Sequence, residues 1–243
     1  MRLLIISDIH ANLTALEAVL TDAQGAWDQV WCLGDVVGYG PDPNECVTLL
    51  QSLPHISLSG NHDWAVLDRL DINTFNPEAR QAIGWTQDQL TPESRAYLEE
   101  LPSLIFIEPI FTLAHASPRQ PVWEYILDAA TAAVNFNHFE TSNCLVGHTH
   151  VPIIYALRDD RVTTRAPLYG QPFTLNESER LIINPGSVGQ PRDADPRAAY
   201  ALLDLERMTW EHRRVGYDID ATQERMRRHN LPQRLITRLA YGW

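Results

Sequence analysis

Apolar positions along the chain fall into two regimes, one up to about residue 115 and one from residue 142 onward. In the first, short unbroken apolar runs exchange with segments of helical spacing. Leu3-Leu4-Ile5-Ile6-Ser7 shows no polar alternation, as expected of a strand buried on both faces. Residues 12–24 follow, with Leu13, Leu16, Val19 and Leu20 at helical spacing. The pattern then predicts a strand at 29–33, a Gly/Pro-rich loop from Gly34 to Pro43, a helix at about 44–52 and a strand at about 55–59. This βαβαβ order implies a parallel sheet with right-handed crossovers. Residues 76–101 read as two helices broken at Thr91-Pro92, with Pro92 in the favoured first turn, and 104–107 and 110–115 as strands.

In the second regime, apolar runs at 143–146, 152–157, 161–165, 168–174, 180–184, 198–205 and 208–215 are separated by turn signals or by charged pairs such as Asp159-Asp160. Spacing this tight predicts antiparallel pairing. Helices at about 219–229 and 231–240 follow, the second starting at Pro232. There is no internal repeat, low-complexity tract or linker-like shift in composition. The chain therefore reads as one domain over 1–243, with 64–101 a helical excursion placed to act as a cap.

Composition narrows the chemistry. The 243 residues carry 19 basic and 31 acidic side chains, a formal charge of -12, and every basic residue is Arg. Without Lys there is no P-loop and no amine nucleophile for Schiff-base or pyridoxal-phosphate chemistry. The acidic balance argues against a nucleic-acid binder, which needs a basic footprint on the phosphates, and against docking on an anionic membrane. Cys32, Cys46 and Cys144 form no CxxC, so neither a disulfide framework nor a zinc–thiolate site is expected. The apolar stretch before Asp8 is too short for a secretory leader, and no run approaches the roughly 20 apolar residues that span a bilayer. The expectation is a cytoplasmic protein with no membrane partner.

The polar residues of interest sit where predicted strands end, which is where sites collect in open α/β sheets. The first strand ends in Asp8-Ile9-His10 and the second in Gly34-Asp35. The third ends in Gly60-Asn61-His62-Asp63, the 110–114 strand in His115, and the 143–146 strand in Gly147-His148-Thr149-His150. Taken singly, each is ordinary: one His at a strand end is commonly structural. Together, four His, two Asp and one Asn after successive apolar runs point to metal. Imidazole and carboxylate without thiolate suit Mn, Fe, Zn, Co or Ni. Seven donors are too many for one tetrahedral ion and suit two ions sharing a carboxylate, the clamp used for in-line displacement at phosphorus.

These blocks, in this order, resemble the calcineurin-like metallophosphoesterases, and Asn184-Pro-Gly-Ser-Val-Gly-Gln-Pro-Arg192-Asp193 resembles their prokaryotic YfcE-like branch. The resemblance implies an α/β fold, a four-layer α/β/β/α sandwich of two mixed sheets. It implies that Asp8, His10 and His150 hold one divalent ion and Asn61, His115 and His148 the other, with Asp35 between them and manganese the first choice of metal. A bridging hydroxide would attack phosphorus. His62, as an imidazolium, would protonate or stabilise the leaving group, and Asp63 would orient it. Asn12 and Arg192 are the candidate substrate-binding residues.

Two departures refine the substrate. Gly34-Asp35-Val36-Val37-Gly38-Tyr39-Gly40 lacks the Asp and the phosphate-clamping Arg of the phosphoprotein phosphatases, which favours small phosphodiesters over phosphoproteins. Ala11 stands where many relatives carry Gly. The rival readings are a phosphomonoesterase, including Ser/Thr phosphoprotein phosphatase or dinucleoside polyphosphate hydrolase activity, and a catalytically silent scaffold. The partner is then a small-molecule phosphate ester, with nucleic acid disfavoured and an oligomer left open.

Overall fold

A strand that is apolar at every position needs cover on both faces, and Leu3 to Ile6 find it. Leu4 and Ile6 pack with helices on one side, while Leu3 and Ile5 point into the space between two sheets. The computed structural model describes residues 1–176 and 178–243. Its strands are β1 (Arg2–Ile6), β2 (Gln29–Cys32), β3 (His55–Ser57), β4 (Leu104–Ile107), β5 (Phe111–Ala114), β6 (Asn143–Leu145), β7 (Ile153–Arg158), β8 (Arg161–Arg165), β9 (Phe173–Thr174), β10 (Arg180–Asn184), β11 (Ala198–Asp204) and β12 (Thr209–Val215). Its helices are α1 (Leu13–Asp22), α2 (Pro43–Gln51), α3 (Asn61–Val66), α4 (Pro77–Gln89), α5 (Pro92–Glu100), α6 (Ala129–Asn135), α7 (Ile219–Arg228) and α8 (Gln233–Arg238).

Two six-stranded sheets result, ordered β3-β2-β1-β11-β12-β9 and β4-β5-β6-β10-β7-β8. Both are mixed. β1, β2 and β3 run parallel, and β11 and β12 join them antiparallel. The space between the sheets is filled by Leu3, Ile5, Trp31, Phe111, Leu145 and Trp210, among others. Outside the first sheet lie α1, α2, α4, α7 and α8 over Leu16, Val47, Ile83 and Met226. Outside the second lies α6 with Phe136, Phe139 and Tyr155. This is the expected four-layer α/β/β/α sandwich.

The antiparallel expectation beyond residue 142 fails at one strand. β6 runs parallel to both its neighbours, β5 and β10, because it is the inner strand of the second sheet and its carboxyl end must face the same way as that of β5. The predicted 168–174 strand contracts to Phe173–Thr174, an edge pair on β12. Two short helices escape the pattern, α3 and α6. α3 begins at Asn61, so the residues expected in a loop after β3 start a helical turn. The three cysteines are buried and free. Among the described residues no helix is long and apolar enough to cross a membrane.

Candidate metal centre

Five strands deliver the donors from their carboxyl ends: β1, β2 and β3 of one sheet, β5 and β6 of the other. The two sheets meet there, and two buried clusters form. Asp8, His10, Asp35 and His150 offer donor atoms within 4.8 Å of one another, and so do Asp35, His115 and His148. Asn61 adds its Oδ1 to the second cluster, 3.2 Å from His115 Nε2.

Asp35 belongs to both groups. Its Oδ1 accepts from the His62 backbone N–H at 2.8 Å. Its Oδ2 is buried without a hydrogen-bond partner, 3.5 Å from His10 Nε2 and 3.4 Å from His115 Nε2. One oxygen is anchored, and the other lies between an imidazole of each cluster.

Reaching these positions strains the backbone. Asp8, His10, Asp35, His148 and His150 all have φ between 49° and 64°, as do Ala11 and Tyr39 beside them. A side chain in this left-handed region costs about 1 kcal/mol or more per residue, and such residues concentrate at functional sites. The cost is met by hydrogen bonds that hold the loops. Asp8, His10 and Ala11 N–H groups donate to the carbonyls of Gly34, Asp35 and Val36. Asn184 Nδ2 ties the Gly147 carbonyl at 2.7 Å, and Ser187 Oγ donates to the Asp8 carbonyl at 2.8 Å. Gly60 must be glycine because a Cβ there would run into the Asp35 carboxylate.

The imidazole tautomers reveal what the donors face. His10, His115 and His150 each place Nδ1 against a backbone carbonyl, of Val37 at 3.2 Å, Leu33 at 2.9 Å and Gln190 at 2.6 Å. In the neutral ring, an Nδ1–H donated outward leaves each Nε2 lone pair aimed inward. His10 Nε2 and His150 Nε2 then stand 3.0 Å apart with Asp8 Oδ1 3.3 Å from the latter. His148 Nε2 is buried with no partner at all. Lone pairs and carboxylates converging on one another repel unless a cation lies among them, so the residues fit metal ions. Divalent ions are the stated complement of this chemistry.

Comparison with known proteins agrees with this geometry. The sequence model of the calcineurin-like phosphoesterase superfamily domain matches residues 1–208. The chain belongs to the calcineurin-like phosphoesterase superfamily. It is similar to a metallophosphoesterase from Sphaerobacter thermophilus, 52% identical with a TM-score of 0.89 and covering 100% of this chain and 99% of that one. A protein of Methanocaldococcus jannaschii is 38% identical over 98% of this chain and 97% of its own. A hypothetical protein from Pyrococcus horikoshii shares the fold at 20% identity, TM-score 0.82, over 100% and 98% of the two chains.

The electrostatics of this phosphoesterase site divide its histidines. Burial, above all, lowers His10 and His150 and takes His148 down to about 3. Burial works the same way on His115, but Asp35 beside it wins and holds its pKa up at about 9. The carboxylates respond in turn. Burial alone would raise Asp35, yet the charge of His115 beside it keeps it well below the usual range. His150 does the same for Asp8. Without metal, a proton on His115 therefore takes the place of a cation in the second cluster.

His62 stands apart from the ligand candidates. Its ring meets His10 edge-on at 4.9 Å, Tyr39 at 4.2 Å and Phe75 at 5.3 Å, and its Nδ1 is buried without a partner. Burial lowers it to about 4, so near neutral pH it is an uncharged imidazole. The expectation that Asp63 orients it is not met. The Asp63 carboxylate accepts N–H bonds from Val36, Val37 and Gly60 at 3.3, 3.1 and 2.9 Å, and thus braces the β2 and β3 loops. Backbone donors without other partners claimed it first.

Asn12 is also committed elsewhere. Its Oδ1 caps α1 through Ala15 N–H and accepts from Thr222 Oγ1, while its Nδ2 donates to the Gly189 carbonyl. It is buried, and both ends of its amide are engaged within the protein. Arg192 fares differently. Neither Asp193 nor Asp195 pairs with it; Asp193 pairs with Arg214 instead. Its Nη2 donates to Gln190 Oε1 at 2.8 Å, its guanidinium lies 5.7 Å above the Tyr39 ring, and its Nε has no partner. Tyr125 was not foreseen as a site wall, and Tyr39, which the sequence offers as a pocket residue or more simply as aromatic packing, stands at the site. Tyr39 lies 4.6 Å from His10, and Tyr125 stacks on His148 at 3.9 Å. A tyrosine in a loop carries no sequence signal for such a role.

Proposed function

We propose that this chain is a binuclear metal-dependent phosphoesterase acting on small phosphate esters, phosphodiesters first. The observation that carries the reading is Asp35: a buried carboxylate oxygen with no donor, shared by two clusters of inward-facing lone pairs. Asp8, His10 and His150 would hold one divalent ion, Asn61, His115 and His148 the other, and Asp35 both. When bound, such ions lower the pKa of water and neutralise charge on a phosphoryl group.

What the chain itself contributes follows from the site. The phosphate of a bound ester supplies negative charge beside His62, which favours protonation of that otherwise neutral ring. The imidazolium can then give its proton to the departing alkoxide. Tyr39 and Phe75 exclude water from the ring and fix its plane. Arg192, held by Gln190 and without a carboxylate among the described residues, has donors free for a phosphate oxygen. A single guanidinium added to the ions suits a monoanionic diester more than a phosphoprotein surface.

The test is hydrolysis of bis-p-nitrophenyl phosphate by metal-loaded protein, against p-nitrophenyl phosphate. His62→Ala is expected to keep its metal content and to lose roughly 10²-fold or more in kcat, the usual worth of a positioned acid. A faster monoester reaction would move the reading to a phosphomonoesterase. Metal-loaded protein inert toward both esters would remove the enzyme reading in favour of a silent scaffold.

A further inference from the structure

Beside the clusters lies a pocket of about 280 Å³ with an unusual charge for this chain. Three guanidiniums, Arg192, Arg234 and Arg238, line it, against a single carboxylate, Glu78. Arg234 reaches Glu78 at 3.6 Å with its side chain 82% exposed, so that pair is loose and solvated. Arg238 donates through Nε to the main-chain oxygen of Trp243, and no Asp or Glu side chain pairs with it among the described residues. Like charges do not gather without cause in a protein that carries -12 overall. Burial first, and then the charges of Arg192 and Arg234, push the Arg238 guanidinium down to about 10, with Glu78 opposing them.

The walls of this pocket connect it to the donors. Tyr39 touches both His10 and His62, and Tyr125 stacks on His148; both tyrosines also line the arginine pocket. A ligand filling it would extend from the clusters past the two tyrosines onto α8. Guanidinium forks match phosphate oxygens better than any other side chain in this sequence.

We propose that this pocket is a second anion subsite, and that the substrate carries a further phosphoryl group, bound by Arg234 and Arg238 while the reacting phosphate lies at the Asp35 clusters. The inference rests on the reading of those clusters given above. It names the substrate class as phosphate esters with at least two phosphoryl groups.

Calorimetry on metal-loaded protein tests it with inorganic phosphate, inorganic tripolyphosphate and fructose 1,6-bisphosphate as probes. At least one of the doubly anionic probes is expected to bind ten or more times tighter than phosphate. Preference for tripolyphosphate would indicate a contiguous chain, and preference for the bisphosphate two separated groups. The Arg234→Gln/Arg238→Gln double variant should lose that advantage, and Arg234→Gln, which alters only an exposed side chain, should lose part of it. Equal affinity for all three probes, or an undiminished preference in both variants, overturns the subsite. Because affinity is read without turnover, failure to hydrolyse bis-p-nitrophenyl phosphate would sink the phosphoesterase reading while leaving this comparison decisive.

Discussion

His115 is the one ligand candidate that holds a proton when no metal is present, and this sets how the site fills. Its pKa near 9 comes from Asp35, whose attraction exceeds the penalty of burial. A metal ligand must be the neutral imidazole, so an ion has to displace that proton. His10, His148 and His150, lowered by burial, are already neutral and release nothing. Below pH 9 the apparent metal affinity should therefore fall about tenfold per pH unit, about 1.4 kcal/mol each. Titration at pH 7.5 in buffers of different ionisation enthalpy should show about one proton released per chain loaded, and His115→Gln should abolish the release. A metal affinity flat between pH 7 and 9 would refute it. At this scale the sequence exposes donors better than roles. Asp8, His10, Asp35, His115, His148 and His150 follow apolar runs directly, so chain and site coincide. Asn12 and Asp63 lie equally close but serve backbone N–H groups, and nothing in their neighbours' identities separates the two uses.

Among the elements, α7 carries a basic run, Arg225, Arg227 and Arg228, whose members serve different ends. Arg227 and Arg228 do face water beside Glu224, but Arg225 does not. It grips Asp42 with Nε and Nη2 at 2.9 and 2.8 Å and Thr14 Oγ1 at 2.6 Å, joining α7 to the starts of α1 and α2. A paired charge in this half-buried setting is worth roughly 1–2 kcal/mol. Arg225→Met should lower unfolding free energy by about that much in urea titrations, against under about 0.5 kcal/mol for Arg228→Met. Equal effects would show that the fork contributes nothing special. The long helices and the parallel β1-β2-β3 core were legible because their apolar period continues over several turns or covers both strand faces. α3 was not, since six residues hold too few periods and its first three carry the site's own polar groups. The direction of β6 depends on neighbours 30 and 40 residues away, which no local pattern records.

For the molecule as a whole, a loaded centre would clasp the two sheets together. Asp8, Asp35 and Asn61 come from one sheet, His115, His148 and His150 from the other, so the donors face each other across the seam. Ions that bind only the folded chain add about 2.7 kcal/mol at a hundredfold excess over their dissociation constant. For a chain of this size that raises the melting temperature by roughly 5–10 °C. Chelator-treated protein should melt lower by such an amount in scanning calorimetry and recover on adding metal. An unchanged transition would mean that the donors do not bridge the sheets through metal.

The place of β1 has a consequence for biosynthesis. Its Arg2 to Ile5 pair with Ala201 to Asp204 of β11, so the first strand made stays open on one edge until nearly the last is available. His150, too, leaves the ribosome long after Asp8. A nascent chain must keep Leu3 to Ile6 from sticking to other chains until β11 has been made. An open edge on a strand whose Leu3 to Ile6 are all apolar invites pairing with another chain while the protein is unfinished.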